Sequence, residues 1–203
     1  MDSIWDKPVS HGQLLKRIWK NLEAGSSQRK HPFHSCVFAT VSDSAPNTRT
    51  VILRRFWKAP ARIAFHAHIG SPKISHIKEN SNVSWLFYDD SKKFQVRIKG
   101  VADVHSNDEI ADEQWVKTAP FGRRCYMGES PTKQSEKPTH GMPKEIVNLD
   151  PTIEESEVGR ENFVVVSSTI RSIDCVELDV TGHRRALFLW DGNGEMETKW
   201  LTP

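Results

Sequence analysis

Arg49, Arg54, Arg55, Ser71 and Lys73 form the strongest chemical signal in this chain. A strand guanidinium near a helix N-terminus can hold a phosphate, because its fork matches the oxygens and the helix end presents free N–H groups. Ser71 is a good N-cap and Pro72 suits the first helical position, so a helix end falls beside Ser71 and Lys73. On a regular strand, Arg49 and Arg55 point to one side and Arg54 to the other. The same residues also read as solvated surface charge, and composition alone does not separate the two readings.

Other chemistry has less support. His66 and His68 share a strand face, with His76 nearby, but no acidic partner or HExxH spacing makes them metal ligands. They read as core or cofactor-wall histidines, and no metal is expected. Cys36, Cys125 and Cys175 are too scattered for a disulfide framework or a CxxC knuckle. GxSxG, P-loop and GxGxxG patterns are absent. Trp57, Trp85, Trp115, Trp190 and Trp200 read as core or interface anchors rather than a base-stacking platform.

These residues need a scaffold. Leu14, Leu15, Ile18, Trp19 and Leu22 recur at helical spacing over 11–24, and Gly25-Ser26-Ser27 stops the helix. Strands are expected over 35–42, 48–57 and 61–68, with a turn from Ser42 to Asn47. A short helix follows Ser71, carrying Ile74 and Ile77 on one face. Two strands, 83–88 and 94–104, turn at Asp89-Asp90-Ser91, and a helix opens near Ser106 and runs through Trp115. Residues 121–162 are loop-rich, with Pro131, Pro138, Pro143 and Pro151. Strands resume over 163–168, 170–180, 184–190 and 197–201, with hairpin turns at Thr181-Gly182 and Asp191-Gly192-Asn193-Gly194. About eight strands and few helices predict an antiparallel β-barrel with helical caps, not a parallel α/β fold.

The 203 residues fit one domain, 1–203, with an N-terminal helical extension over 1–30 and the loop-rich segment at 121–162. No apolar stretch is long enough to span a membrane and the N-terminus lacks a signal-peptide pattern, so a cytoplasmic location is expected. The net charge of +2 conceals a division. Residues 1–100 carry 17 Lys or Arg against 7 Asp or Glu, whereas residues 101–203 carry 11 against 19. Either the basic half binds an anion or the halves attract each other. A nucleic-acid surface has weak support, since no basic stripe or finger spacing is present.

The order of short motifs resembles the pyridoxamine 5′-phosphate oxidase-like, FMN-binding split-barrel family over roughly residues 33–203. The matching pieces are Arg49 to Arg54, Phe65 to Lys73, Ile77 to Asn80, Phe94 to Gly100, Lys133 to Ser135, Arg185 to Phe188, and Trp200 to Pro203. The resemblance implies a mainly β, antiparallel, Greek-key split β-barrel with small flanking helices. It implies FMN as cofactor, with Arg49 and Lys73 on its phosphate and Ser71 close by. Thr50, Val51, Ile52, Leu53 and Arg54 would run beside the isoalloxazine, with His66 and Ala67 at its wall and Gln95 at its polar edge. Gln134, Ser135 and Arg185 would reach the same cofactor from the second subunit of a homodimer. Arg54 and His183 are the candidates for catalysis, Arg54 tuning charge and His183 handling a proton, with His68 second to it.

The departures bear on substrate. Pro72 stands where the oxidase has a second phosphate arginine, His66 and Ala67 replace a Tyr-Thr pair, and Cys175 falls where a tryptophan is expected. Trp115 replaces a substrate-site tyrosine, while Ala119 and Thr181 replace arginines; His183 matches. The implied protein is an FMN-dependent oxidoreductase acting by two-electron transfer on a small molecule, with part of the vitamin B6 phosphate clamp missing. The alternatives are a non-catalytic flavin or haem binder and a true pyridoxamine 5′-phosphate oxidase. No nucleic-acid or membrane partner is expected.

Overall fold

The computed structural model describes residues 9–142, 147, 150–191 and 194–203. Helix α1 (His11–Ser27) starts on a capping box. The Ser10 hydroxyl accepts from the Gln13 N–H, and the Gln13 side chain accepts from the Ser10 N–H. Its apolar stripe buries Leu14, Ile18 and Leu22 in the main core. Gly25 is needed at the packed end, since a Cβ there would lie 2.8 Å from the Phe33 backbone.

Among the described residues nine strands form one antiparallel sheet. They are β1 (Ser35–Ser42), β2 (Ala45–Ile52), β3 (Arg55–Lys58), β4 (Ala61–His68), β5 (Asn82–Asp89), β6 (Phe94–His105), β7 (Phe163–Glu177), β8 (Arg184–Trp190) and β9 (Met196–Leu201). The path runs β2-β1-β5-β6-β7-β4-β3, and β8 and β9 branch from β7. The first part of β7 pairs with β4 and its last part with β8. Helices α2 (Pro72–Glu79), α3 (Glu109–Lys117), α4 (Pro120–Arg123) and α5 (Ile153–Ser156) lie between strands.

The mainly β, antiparallel expectation holds, but strand pairing does not by itself close a barrel. Among the described residues β2 and β3, at the two ends of the path, are joined by chain continuity rather than by a ladder. The expected single strand over 48–57 is divided at this point. The Leu53 N–H donates to the His34 carbonyl and the Arg54 N–H to the Ala64 carbonyl, both at 2.8 Å. Successive N–H groups on extended chain point to opposite neighbours, so the chain exchanges one partner strand for another here. The expected break at residue 169 does not occur. Thr169 pairs with both Arg62 and Val101, and β7 continues as one strand of 15 residues. The turn expected from Ser42 to Asn47 tightens to Asp43 and Ser44, both with positive φ, and Pro46 sits inside edge strand β2. Of the Asp191–Gly194 turn, Gly192 and Asn193 lie outside the described residues, as do Pro143 and residues 1–8 of the N-terminal extension.

The main core packs α1 against the sheet. Phe38, Phe65 and Trp85 meet edge-on with ring centroids 4.7–5.5 Å apart. The Trp85 indole N–H donates to the Ser168 hydroxyl at 3.1 Å, which satisfies the buried donor. A second cluster of Ala64, Trp115, Tyr126, Phe163 and Val165 packs on the other side of β4 and β7. The loop-rich 121–162 segment supplies Tyr126 to it and contains α4, α5 and two 3-10 turns, Arg124–Tyr126 and Glu157–Asn162.

Candidate functional site

Arg49, Ser71 and Lys73 come together where β2 meets α2. Arg49 is opposite Phe38 in the β1–β2 ladder. Its Nη1 donates to Thr40 Oγ1 and to the Asn47 carbonyl, both at 2.8 Å, and Thr40 Oγ1 lies 3.1 Å from His76 Nδ1 on α2. Burial lowers the Arg49 pKa. Burial, then the Arg49 charge, lowers that of Lys73. Two half-buried cations thus repel each other, and neither forms an ion pair among the described residues. Ser71 caps α2 without using its hydroxyl on the helix. This is a cradle suited to a phosphate.

Arg54 and His66 define a second place. With Gln114, Ala119 and Phe121 they line a cleft of about 330 Å³. Arg54 is exposed and His66 half-buried. Burial first, then the Arg54 charge, pushes the His66 imidazole down to about 3, with Gln114 pulling the other way. His66 is therefore neutral at ordinary pH. Its Nε2 and the Gln114 amide nitrogen are buried without a hydrogen-bond partner among the described residues. Trp115 stands behind this wall and is buried. Arg55 departs from the expected side-by-side arrangement with Arg49, because the strand break reorients it toward Glu113 at 3.8 Å.

Gln95 and Arg185 occupy a third place. Tyr88, Gln95, Val176, Arg185 and Leu201 lie in register across β5, β6, β7, β8 and β9. The Arg185 fork grips Asp174 through Nε at 3.0 Å and Nη2 at 2.8 Å, and Arg97 joins the same carboxylate. Burial alone would raise the Asp174 carboxyl, but the two arginines outweigh it and hold it below the usual range.

The remaining expected residues are spread out. Val51, Leu53 and Ala67 are buried in the core, Ile52 is half-buried, and Thr50 is exposed. Gln134 and Ser135 are exposed, and the Ser135 hydroxyl donates to the Lys137 carbonyl at 2.7 Å. Their segment leaves the fold beside the Gly70 turn, where a Cβ on Gly70 would meet the Ser130 hydroxyl at 2.1 Å. His183 is exposed on the turn before β8, accepts from the Asp179 N–H at 3.2 Å, and does not line the Arg54 cleft. His68 is buried, and its Nδ1 accepts from the Gly70 N–H at 3.0 Å, which ties it to that turn.

Sequence reading missed Thr40 and Gln114, and it weighed His76 only beside His66 and His68, not beside Thr40. Thr40 and Gln114 are buried polar residues, a signal visible only once the buried face is known. It also missed a Ser-His-Asp arrangement. His105 lies 2.7 Å from Asp108 and 3.0 Å from the Ser167 hydroxyl. Ser167 is buried within the sheet, so this group staples α3 to β6 and β7 rather than exposing a nucleophile. Buried Cys36 and Cys175 are pushed up to about 12 by desolvation, which keeps both as thiols. No helix among the described residues is long and apolar enough to cross a membrane, and none of their His, Cys, Asp or Glu groups could hold a metal.

An antiparallel sheet with a phosphate-suited cradle at one helix end is the class of protein these features define. The family model described as pyridoxamine 5′-phosphate oxidase, FMN-binding domain, matches residues 16–106, which carry Arg49, Arg54, Ser71, Lys73 and Gln95. Over this segment the chain resembles the pyridoxamine 5′-phosphate oxidase-like, FMN-binding family, at low identity and over part of its length. A pyridoxine/pyridoxamine 5′-phosphate oxidase from Rubrobacter xylanophilus is 32% identical over 104 residues, 51% of this chain and 45% of that protein. The chain spans about half the length of the curated relatives it matches. Two solved structures share the fold. A pyridoxamine 5′-phosphate oxidase-related, FMN binding protein from Nostoc punctiforme superposes with a TM-score of 0.72 at 17% identity, over 97% of this chain and 100% of that one. PhzG from Burkholderia lata, solved with tetrahydrophenazine-1-carboxylic acid, gives 0.68 at 20% identity, over 100% and 98%.

Proposed function

We propose that this protein is an FMN-binding oxidoreductase of the split-barrel type, working as a homodimer on a small molecule. The observation that carries the reading is the Arg49–Lys73 pair. Two partly desolvated cations lie beside an N-cap hydroxyl, and no carboxylate among the described residues pairs with either. A bound phosphate dianion would relieve their repulsion and accept from both. When bound, FMN supplies two-electron redox chemistry through its isoalloxazine ring.

The side chains then take separate tasks. Arg49 and Lys73 bind the phosphate, and Ser71 donates to it. Thr40 orients Arg49 through its hydroxyl. Residues 50–54 present main chain to the ring, since Val51 and Leu53 are buried in the core. Arg54 supplies positive charge beside the ring, and neutral His66 with Ala67 forms its wall. Gln95 and Arg185 lie in the β6–β8 row, apart from the cradle within one chain. A second copy that brings its own Gln134, Ser135 and Arg185 to the cofactor fits that separation. His183 would act as proton donor from the same direction.

The substrate differs from a vitamin B6 phosphate. Ala119 lines the Arg54 cleft with a methyl group, and Thr181 is an exposed turn residue. Flavin titration of the purified protein tests the cofactor assignment. Preference for FMN over riboflavin supports it, and equal affinity for both removes the phosphate role of Arg49 and Lys73.

A further inference from the structure

Arg29, Arg54, Arg55 and Lys117 all line the cleft beside His66. Arg29 comes from the turn just after α1 and lies twenty residues before Arg49, the first residue of the flavin-site motifs. Arg55 and Lys117 share one carboxylate: Lys117 hydrogen-bonds to Glu113, and Arg55 lies 3.8 Å from it. Arg29 and Arg54 form no ion pair among the described residues. Four cations around one carboxylate leave the concavity electropositive, and such a concavity concentrates anions. His66 adds no charge, because burial and Arg54 keep it neutral.

The kind of anion follows from the donors on offer. Helix α4 borders the cleft, but the Gly122 and Arg123 N–H groups both donate to the Ala119 carbonyl, at 2.8 and 3.1 Å. Recognition falls to side-chain forks. Two planar guanidinium groups match a planar carboxylate, each through paired N–H donors. A tetrahedral dianion is better served by the Arg49, Ser71 and Lys73 cradle at the other place. Phe121, 60% exposed, gives the cleft an apolar rim that an organic skeleton can cover.

We propose that the cleft is the substrate site of the flavoprotein and that Arg29 and Arg54 select an organic acid by its carboxylate, with Arg29 as the specificity-determining residue. This rests on the flavoprotein reading above and gives that site a substrate class. It also explains how a chain with Ala119 and Thr181 can still hold an anionic substrate, since the cations come from the α1 turn and β2–β3 junction instead.

Calorimetric titration of apo and FMN-loaded protein with 2-naphthoate, 2-naphthamide and 2-naphthyl phosphate tests the proposal. The carboxylate is expected to bind both forms, with the neutral amide about tenfold weaker or more. Arg29→Gln is expected to weaken 2-naphthoate about tenfold while leaving the amide and FMN affinities unchanged. Equal binding of acid and amide, tighter binding of the phosphate ester, or an Arg29→Gln protein that binds 2-naphthoate normally would each overturn it. Binding to the apo form alone would assign the cleft to the cofactor and overturn the substrate role. Flavin titration of the same preparations keeps the two readings apart: loss of FMN binding counts against the flavoprotein, whereas the apo titration still judges the cleft.

Discussion

Arg49 and Lys73 are costly neighbours in the absence of an anion, because burial and mutual repulsion both act against their charges. Lys73→Ala should therefore weaken FMN by roughly 1.5–3 kcal/mol, the scale of a charged hydrogen bond, and leave riboflavin affinity unchanged. Parallel titrations with the two flavins decide this, and an equal loss for both would place Lys73 away from the phosphate. Arg54 acts through charge at a different place. Arg54→Met keeps an unbranched stem and removes the cation, so the FMN reduction potential should fall more than oxidised-FMN affinity does. A redox titration of the fully loaded variant that matches wild type would return Arg54 to surface charge. His66 has a stability signature. Its folded pKa of about 3 lies below the ordinary 6.5, so as pH falls through 6.5 the unfolded chain takes a proton that the folded protein refuses. Stability should decline across that window by up to about 1.4 kcal/mol per pH unit and level off near the folded value. Denaturant melts of His66→Gln across the same window should show a shallower decline. An unchanged slope would mean that another group dominates acid unfolding.

At the scale of elements, the β6–β7 pairing carries the longest ladder and its one irregularity. The register shifts between Lys99 and Gly100, and a Cβ on Gly100 would lie 2.4 Å from the Thr169 carbonyl oxygen. Main-chain oxygen cannot move aside as a side chain can. Gly100→Ala should cost about 1–3 kcal/mol, read as a lower denaturant midpoint with unchanged slope. A neutral result would show that the strands separate locally without penalty. Nearby, β7 stays continuous through residue 169, where the sequence suggested two strands, because Thr169 pairs with β4 on one side and β6 on the other. Alternation of apolar residues marks a strand but does not say where a partner strand ends. The break at Leu53–Arg54 was hidden for the converse reason: β-branched and apolar types continue through it, while the hydrogen-bond partners change.

For the whole molecule, the division of charge serves two ends. Arg17 pairs with Glu177, Arg55 with Glu113, and Arg97 with Asp174, so part of the basic first half is neutralised by the acidic second half within the fold. Arg29, Arg49, Arg54 and Lys73 are left without such partners among the described residues, and they stand at the two proposed anion sites. The proposed homodimer would form through the outer sheet face. Val37 and Tyr88 are 37% and 41% exposed there, close to the row that holds Gln95 and Arg185. Light scattering should report about twice 23.2 kDa. Val37→Asp on this face should shift the protein toward monomer and lower FMN affinity together. A monomeric wild type that binds FMN tightly would remove the shared site.

Much of this was legible in the chain itself. Hydrophobic periodicity located α1, although the helix runs on through Gly25 and Ser26 to Ser27 instead of stopping there, and Ser71-Pro72 located the start of α2, because caps and amphipathic stripes are local properties. The limits of β1, β4 and β8 agree with the sequence reading for the same reason. Motif order pointed to the family whose model matches residues 16–106 and singled out Arg49 and Lys73. Tertiary structure alone decided which cations remain unpaired, since that depends on carboxylates distant in sequence, such as Glu113 beside Arg55 and Asp174 beside Arg185. It also decided that Arg29 joins Arg54 across a cleft and that His66 is held neutral. Burial and the field of neighbouring charges arise only when strands far apart in the chain pack together.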